Sequence, residues 1–370
     1  MILTNCAACA APLAHDAPRC VRCKTRYCNS TCQHDHWRRG HKQICKKIHR
    51  GGNAEQYNAD TKFKEAVAEA VEECADDTKG QKCYICLEAV HPRTGEGLVR
   101  RCTCGDRDGV SSPELSVAHV SCLAEQAKIL VAEGEENNVD PNASNERWAR
   151  WYTCSLCEQQ YHGVVACALG WACWKTYLGR PDESWTRLSA MAQLGNGLEA
   201  AKHLEEALSV REAGLSMQRR IGVSEISMLG TQSNLAGTYF DIGRIDDAIR
   251  MRQEVYFGYV RLLGVQHAST LTSANNYAAS LLGVQRFEES KALILKTLPV
   301  SRRVLGEGHD LTLKMRWLYA SALFTDDNAT PNDVCEAVTT LEDAARIARR
   351  VLGGPHPTTA HIERALQMSR

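Results

Sequence analysis

The chain has 370 residues, of which 44% are hydrophobic and 24% are charged, and its 44 Lys and Arg residues balance 44 Asp and Glu residues. This composition excludes a disordered tail and predicts a globular protein of two or three domains. The start MILTNCAACAAP lacks the pattern of a signal peptide, and the longest apolar run, Gly163 to Trp174, is shorter than the roughly 20 residues that a membrane helix needs. We therefore expect no membrane partner, an intracellular location in the cytoplasm or nucleus, and metal binding by many of the 18 cysteines.

Seven cysteines and one histidine fall in four closely spaced pairs between Cys6 and Cys45. Two or three residues separate the members of a pair, so one turn can present both donors to the same ion at about 2.0 to 2.3 Å. Eight soft ligands predict two structural zinc sites, because a tetrahedral site takes four. The pairs are Cys6/Cys9, Cys20/Cys23, Cys28/Cys32 and His41/Cys45.

The order CAAC, CVRC, YCNSTC, QHDHW and HKQIC resembles the MYND finger family over residues 1–50. The resemblance implies that the pairs alternate between the two zincs as a cross-brace, although the gap between Trp37 and His41 is longer than usual. It also implies a groove for short proline-containing peptides, with Gln33 and Trp37 as partner-binding residues. The alternative for Trp37 is that it caps the small core between the zincs. The implied ligand sets are Cys6, Cys9, Cys28 and Cys32 for the first zinc, and Cys20, Cys23, His41 and Cys45 for the second.

The first 50 residues are basic, with ten Lys or Arg against two Asp. Zinc binding converts seven thiols to thiolates and adds two Zn²⁺, which leaves a net charge of about +5 on the loaded finger. This charge makes nucleic-acid binding a third hypothesis for function. We rank it low because the basic residues lie among the ligands without interleaved aromatic side chains.

A second set of seven cysteines and one histidine follows a helix predicted over Ala54 to Ala75. Its order, with Cys-x-Cys as the second pair, resembles the RING-CH family, whose members are ubiquitin ligases. The resemblance implies two more cross-braced zincs, four in all, and implies that Ile85 contacts a ubiquitin-conjugating enzyme. The implied ligands are Cys83, Cys86, His119 and Cys122 for the third zinc, and Cys102, Cys104, Cys154 and Cys157 for the fourth.

Three features depart from an active RING-CH domain. Ala127 stands where the family usually carries a Trp that docks the conjugating enzyme, and Glu158 stands where an active domain often has a basic residue. The gaps before His119 and Cys154 are also long. A PHD finger shares the order of ligands, but its spacing before the histidine is much shorter. We therefore favour a zinc-stabilised module without catalysis, and we expect no catalytic residue.

After Trp185 the sequence repeats a pattern in which an arginine precedes a glycine by three residues. A histidine follows three of the glycines at the same offset, and Asn234 and Asn276 lie in the equivalent phrases NLA and NYA. These phrases resemble the TPR repeats of kinesin light chains, which implies stacked helical hairpins and makes the two asparagines candidates for holding a peptide backbone. The repeated residues are Arg219, Arg261, Arg303 and Arg350; Gly222, Gly264, Gly306 and Gly353; and His267, His309 and His356.

The fold class we expect is multidomain: two loop-rich α+β cross-brace modules stabilised by zinc, followed by an all-α TPR solenoid. The favoured function is a zinc-binding adaptor that binds proteins or peptides through the finger and the TPR groove. The alternative is a RING-CH-type ubiquitin ligase whose other parts select the substrate. The expected finger, connector helix, RING-CH-like module, linking helix and TPR-like repeats occupy 1–50, 51–79, 80–161, 162–185 and 186–370.

Overall fold

The computed structural model describes residues 5–11, 13, 16–100, 117–156, 158–354 and 356–370. These residues form two compact units, one up to Gly222 and the other from Val223 to Arg370. None of the helices within these ranges combines the length and the apolar character that crossing a membrane requires.

The first unit begins with the cysteine-rich finger, whose only regular elements in the described ranges are helical. The finger helix runs through a π-helical segment, Trp37–His41, where Gly40 has a φ of 131° and kinks the chain. Asn29 caps the start of this helix by accepting from the Cys32 amide. The helices of the finger and of the following stretch are α1 (Ser30–His36), α2 (Lys42–Arg50), α3 (Ala54–Glu73) and α4 (Ala75–Thr78).

The rest of the first unit is built around a helix that is buried along nearly its whole length. This helix, α7 (Gly163–Tyr177), is the apolar run found in the sequence, and all residues from Val164 to Trp174 are buried. Three helices pack against it, namely α3, Val120–Glu136 and Trp185–Ala200. An apolar helix covered on all sides needs no polar face, which explains why its sequence lacks helical amphipathicity. The other helices are α5 (Val120–Glu136), α6 (Pro141–Trp148), α8 (Trp185–Ala200) and α9 (Leu204–Ile221), with a 3₁₀ turn at Ala149–Trp151.

The β part of the expected α+β modules is not shown. In the described part of the zinc-binding stretches, the extended chain forms only isolated bridges, at Arg19–Arg26, Val99–Ala118 and Thr153–Gln160. The hydrogen bonds of these stretches are used mainly in turns around the cysteines. The physical reason is that two short knuckles held by metal leave too few residues for a ladder of paired strands.

The second unit is a series of helical hairpins, which is the TPR-like solenoid expected from the repeats. Each helix packs on its sequence neighbours, and α14 also packs on α12 and on α16, the helices two places away. Aliphatic side chains such as Leu271, Leu281 and Ile294 are buried between the hairpins. The helices are α10 (Glu225–Asp241), α11 (Ile245–Leu263), α12 (Ala268–Gly283), α13 (Phe287–Leu305), α14 (Asp310–Phe324), α15 (Pro331–Val351) and α16 (Pro357–Ser369).

Helices α8 and α9 precede these hairpins and share the core of the first unit, since Leu194, Leu198 and Val210 belong to the cluster that contains α7. The expected domain boundary near residue 186 therefore stays a prediction.

Candidate metal centres

Among the residues that the structure describes, three groups of four donors come together in the first unit, and their ligand atoms lie within 4.8 Å of one another in each group. The pairs that form each group are not consecutive in the sequence. The groups are Cys6, Cys9, Cys28 and Cys32; Cys20, Cys23, His41 and Cys45; and Cys83, Cys86, His119 and Cys122.

The distances within these groups fit a tetrahedral zinc ion. Donors that lie 2.3 Å from one ion in a tetrahedron are about 3.8 Å from each other. The Cys20 and Cys45 sulfurs are 3.8 Å apart, and the Cys9 sulfur lies 3.5 Å from Cys28 and 3.8 Å from Cys32. Four soft donors with no open position are typical of structural zinc.

The two histidines present different nitrogens to their groups. His41 directs Nε2 to the Cys23 sulfur at 3.3 Å, whereas His119 directs Nδ1 to the Cys86 sulfur at 3.3 Å. The His41 ring stacks on His36 at 4.8 Å between centroids, and the Tyr27 hydroxyl lies 3.1 Å from His36 Nδ1. The contacts of His36 and Tyr27 fix the orientation of the His41 ring, as neighbours that do not themselves bind the metal commonly do for metal-binding histidines.

Each Cys-x-x-Cys turn has the same backbone geometry. If the first cysteine is residue i, its amide donates to the carbonyl of residue i+5. The amide of residue i+4 donates to the carbonyl of the cysteine, and residue i+4 has a left-handed φ. The forward bonds are Cys6 to Ala11 at 2.8 Å, Cys20 to Thr25 at 2.7 Å, Cys83 to Glu88 at 3.0 Å and Cys154 to Gln159 at 2.8 Å. The left-handed residues are Ala10 (60°), Lys24 (65°), Leu87 (64°) and Glu158 (59°).

Two thiols of the first group have pKa values shifted in opposite directions. Burial opposes ionisation of Cys6, but hydrogen bonds from the backbone of Cys9, Ala8 and Cys28 lower the pKa of the Cys6 thiol to about 6. In the same group, the hydrogen bond to Cys9, burial and the hydrogen bond to Cys6 raise the pKa of the Cys28 thiol to about 12. A thiolate beside a retained proton is the arrangement from which a divalent cation displaces the remaining protons.

The fourth expected zinc site falls largely outside the described residues, because Cys102, Cys104 and Cys157 lie there. Cys154 is buried, and its sulfur accepts from the Leu156 amide at 3.4 Å. The equivalent bond in the third group joins the Ile85 amide to the Cys83 sulfur at 3.4 Å. One half of the fourth site therefore has the local geometry of the turns that assemble into groups.

The partner-binding candidates lie at or near the surface. Trp37 is 41% exposed and Gln33 is half-buried on the same helix. Ile85 is 36% exposed in the turn of the third group. In the second unit, Asn234 is exposed on α10 and Asn276 is half-buried on α12. The backbone carbonyl of Asn276 accepts a hydrogen bond from the Arg252 guanidinium at 2.9 Å.

The repeated histidines have a role that we did not infer from the sequence. His267, His309 and His356 are N-cap residues of α12, α14 and α16, and each Nδ1 accepts the amide two residues later, at 3.1, 3.2 and 3.2 Å. An N-cap side chain satisfies an amide that the helix leaves unpaired. The signal in the sequence was the constant offset from the preceding glycine, which marks a helix start.

Comparison with known proteins identifies two kinds of module. Residues 6–45 match the family model of the MYND finger, and residues 228–269 and 270–310 match that of the tetratricopeptide repeat. The expected MYND finger and TPR repeats are thereby confirmed. Neither match covers the second set of seven cysteines and one histidine, so its RING-CH-like character stays a prediction. A comparison with curated proteins found no significant match.

Among solved structures, the chain is similar to that of a putative kinesin light chain from Podosopora anserina with nearly identical TPR-like repeats. The two chains are 18% identical, the match covers 64% of this chain and 98% of that chain, and the TM-score is 0.42. The chain is also similar to BtubC (BKLC) from P. vanneervenii, with 13% identity, 68% and 81% covered, and a TM-score of 0.43. We draw no conclusion about the fold from these similarities. The assignment of TPR repeats rests on the family model and on the repeated helical hairpins.

Proposed function

We propose that the chain is a zinc-dependent adaptor that binds peptide segments of partner proteins through its MYND finger and its TPR repeats. Both are protein-interaction modules. The observation that carries the proposal is the exposure of Trp37, 41%, on the helix that also supplies zinc ligands, where its ring contacts the His41 ring edge-on at 5.9 Å between centroids. An exposed aromatic ring next to the half-buried Gln33 can bury a proline ring and hold a peptide backbone.

Zinc has a structural role in this proposal. It would fix the finger helix through Cys32, His41 and Cys45, and it would thereby hold Trp37 in place for a partner. We further propose a fourth zinc at Cys102, Cys104, Cys154 and Cys157, supported by the turn at Cys154. Sites that depend on free thiols suit a reducing intracellular compartment, in the cytoplasm or nucleus.

The test of the groove is Trp37→Ala in the full zinc-loaded chain, measured against a short proline-containing peptide. We expect both finger zincs to be retained and the peptide to bind more weakly by about 2 kcal/mol. Trp185→Ala is a matched control, because Trp185 is an exposed tryptophan of the same unit at 42%. A folded, zinc-loaded Trp37→Ala protein with undiminished binding would contradict the site, and loss of zinc would show that Trp37 is part of the core.

In the second unit, Asn234 and Asn276 are proposed to hold the backbone of a second peptide segment. They occupy equivalent places on the first helices of neighbouring hairpins, so an extended peptide crossing both helices can reach both amides. Replacing both by Ala should weaken such a peptide while the helix content of the unit stays constant. An unchanged affinity would exclude this stretch of α10 and α12 as the binding surface.

A ubiquitin ligase is the second candidate, and one contact favours it. The Tyr84 hydroxyl lies 3.1 Å from the Ser155 hydroxyl, which brings the turn with exposed Ile85 beside the turn with Leu156, 50% exposed. Two apolar side chains on adjacent zinc turns can contact a ubiquitin-conjugating enzyme. Against this candidate, Ala127 stands where the family's docking Trp is expected, and it is fully buried.

An autoubiquitination assay over a panel of conjugating enzymes distinguishes the two candidates. The ligase predicts chains that disappear in Ile85→Ala and persist in Ile226→Ala, an exposed isoleucine of the second unit. The adaptor predicts no chains with any conjugating enzyme.

A further inference from the structure

The finger helix carries a row of positive charges that pair with no acidic side chain of the described residues. Lys42, Lys46 and Arg50 follow one another at four-residue spacing on α2, and Arg38 precedes them across the kink. All four side chains are exposed. We call these four residues the cation row.

The cation row is unpaired within the described part of the chain. The sequence has no Asp or Glu between Asp35 and Glu55. Asp35 forms an ion pair with Arg39, and Glu55 lies near Arg187. None of the ion pairs found in the described ranges includes a member of the row. Lys47, on the same helix, lies over the Tyr57 ring at 5.9 Å instead.

Local structure explains only part of this charge. Arg50 lies in the last turn of α2, where a positive charge complements the helix dipole, but Lys42 lies in the first turn, where it does not. Like charges at four-residue spacing repel one another on a helix. The bound thiolates offset some of the charge, yet the loaded finger keeps a net charge of about +5. A row that destabilises its own helix and has no counter-ion among the described side chains suits an anionic partner.

We propose that the cation row binds an extended acidic segment of the protein that docks on the finger. This inference rests on the proposed function and adds a charge requirement to the partner. Residues four apart on a helix are separated by about 6 Å along the axis. Alternate residues of an extended strand are separated by about 6.6 to 6.8 Å, so acidic side chains at every second position match the row.

An extended polypeptide fits better than a nucleic acid. Single-stranded nucleic acids combine backbone contacts with stacking of bases on aromatic side chains. Trp37 directly precedes Arg38 and is exposed, but the sequence from Arg38 to Asn53 contains no aromatic residue other than histidine, so the row offers charge with a single ring at one end and no series of stacking rings along it.

The experiment uses a fluorescein-labelled peptide of four Glu-Ser repeats, a Gln-Ser counterpart and a single-stranded oligothymidylate of equal charge. Fluorescence anisotropy is measured with the full zinc-loaded chain at low ionic strength. We expect only the Glu-Ser peptide to bind well, and we expect added salt to weaken it. In Lys42→Gln/Lys46→Gln, affinity for this peptide should fall about fivefold to tenfold.

The control variant is Lys64→Gln/Lys79→Gln, which removes two exposed lysines of the same unit, and it should bind as the parent does. Zinc content and circular dichroism confirm that both variants are folded. Equal binding of the Glu-Ser and Gln-Ser peptides, or an equal loss in both variants, would overturn the proposal. Oligothymidylate that binds more tightly than the Glu-Ser peptide would overturn it in favour of nucleic acid.

The Glu-Ser probe contains no proline, so it measures the cation row even if the groove at Trp37 binds nothing. A proline-containing peptide without acidic residues measures the groove alone. Failure of the cation row and failure of the groove are therefore separate results.

Discussion

The finger and the helical repeats bury different kinds of side chain. In the finger, the buried cluster consists of four zinc-ligand cysteines, Cys6, Cys20, Cys23 and Cys45, together with Tyr27, Ile48 and Ala54. The clusters of the second unit consist of aliphatic and aromatic residues with no cysteine among their buried members in the described residues. The comparison teaches that the same chain uses metal coordination where the core is small and apolar burial where repeats can stack.

Removal of zinc should have the largest effect and should separate the two regions. A chelator should unfold residues 6–45, because the few apolar residues of the finger cannot hold the fold without metal. The helices from α10 to α16 should persist. Hydrogen exchange followed by mass spectrometry would show the loss of protection in the finger, and a simultaneous loss across 223–370 would contradict the comparison.

The number of zinc ions bound per chain tests how much of the first unit depends on metal. Elemental analysis of the purified chain should give four zinc ions if the turn at Cys154 completes a site with Cys102, Cys104 and Cys157. Cys154→Ser should then reduce the count by one. A count of three in the parent chain would restrict metal binding to the three assembled groups.

A core substitution in the repeats should destabilise the second unit without affecting metal. Leu281 is 1% exposed between the hairpins, and Leu281→Ala should cost about 2–5 kcal/mol of unfolding free energy. Leu295→Ala is the control, since Leu295 is 55% exposed. Thermal unfolding would give the stabilities. Loss of zinc from Leu281→Ala would show that the two regions are not stabilised separately.

A smaller effect is expected at the turn between hairpins. Gly306 has φ 92° and ψ 161°, a conformation essentially restricted to glycine. Gly306→Ala should cost about 1–3 kcal/mol through backbone strain alone, since no atom lies within 4 Å of an added Cβ. Gly354→Ala, at an open site without a left-handed φ, should have little effect on the melting temperature.

The smallest effect is expected at the histidine caps. His309→Ala removes the acceptor for the Leu311 amide and should cost about 1 kcal/mol. His309→Asn should retain most of the stability, because asparagine is a good N-cap residue. Denaturant titration of both variants tests this, and equal losses would show that the cap bond contributes nothing.

The sequence was informative where spacing controls structure. Pairs of cysteines separated by two residues specify a turn, and repeats of glycine and histidine specify helix boundaries, so the modules could be predicted locally. The glycines show the limit of this reasoning. A glycine after an apolar helix predicts a left-handed helix end, and Gly222 has that conformation, but Gly264 and Gly306 have an extended ψ of 170° and 161°.

Packing partners could not be predicted in the same way. The sequence predicts a connector helix over Ala54 to Ala75, yet α3 packs on α7, about ninety residues later in the chain. The spacing of Ala66, Val67 and Ala70 predicts a buried face but does not show what covers it. Long-range contacts of this kind depend on the whole unit, and no local pattern specifies them.

The central position of α7 bears on how the protein is made. The segment that α7 must cover, α3, ends at Glu73, and α7 begins at Gly163. At about 5–20 residues per second, a ribosome needs roughly 5 to 20 seconds to synthesise the intervening chain. During that interval the finger can already fold around its metal, whereas the apolar face of α3 remains uncovered. Nascent chains of this protein therefore pass through a stage in which a finished finger is followed by a helix whose apolar face is still exposed.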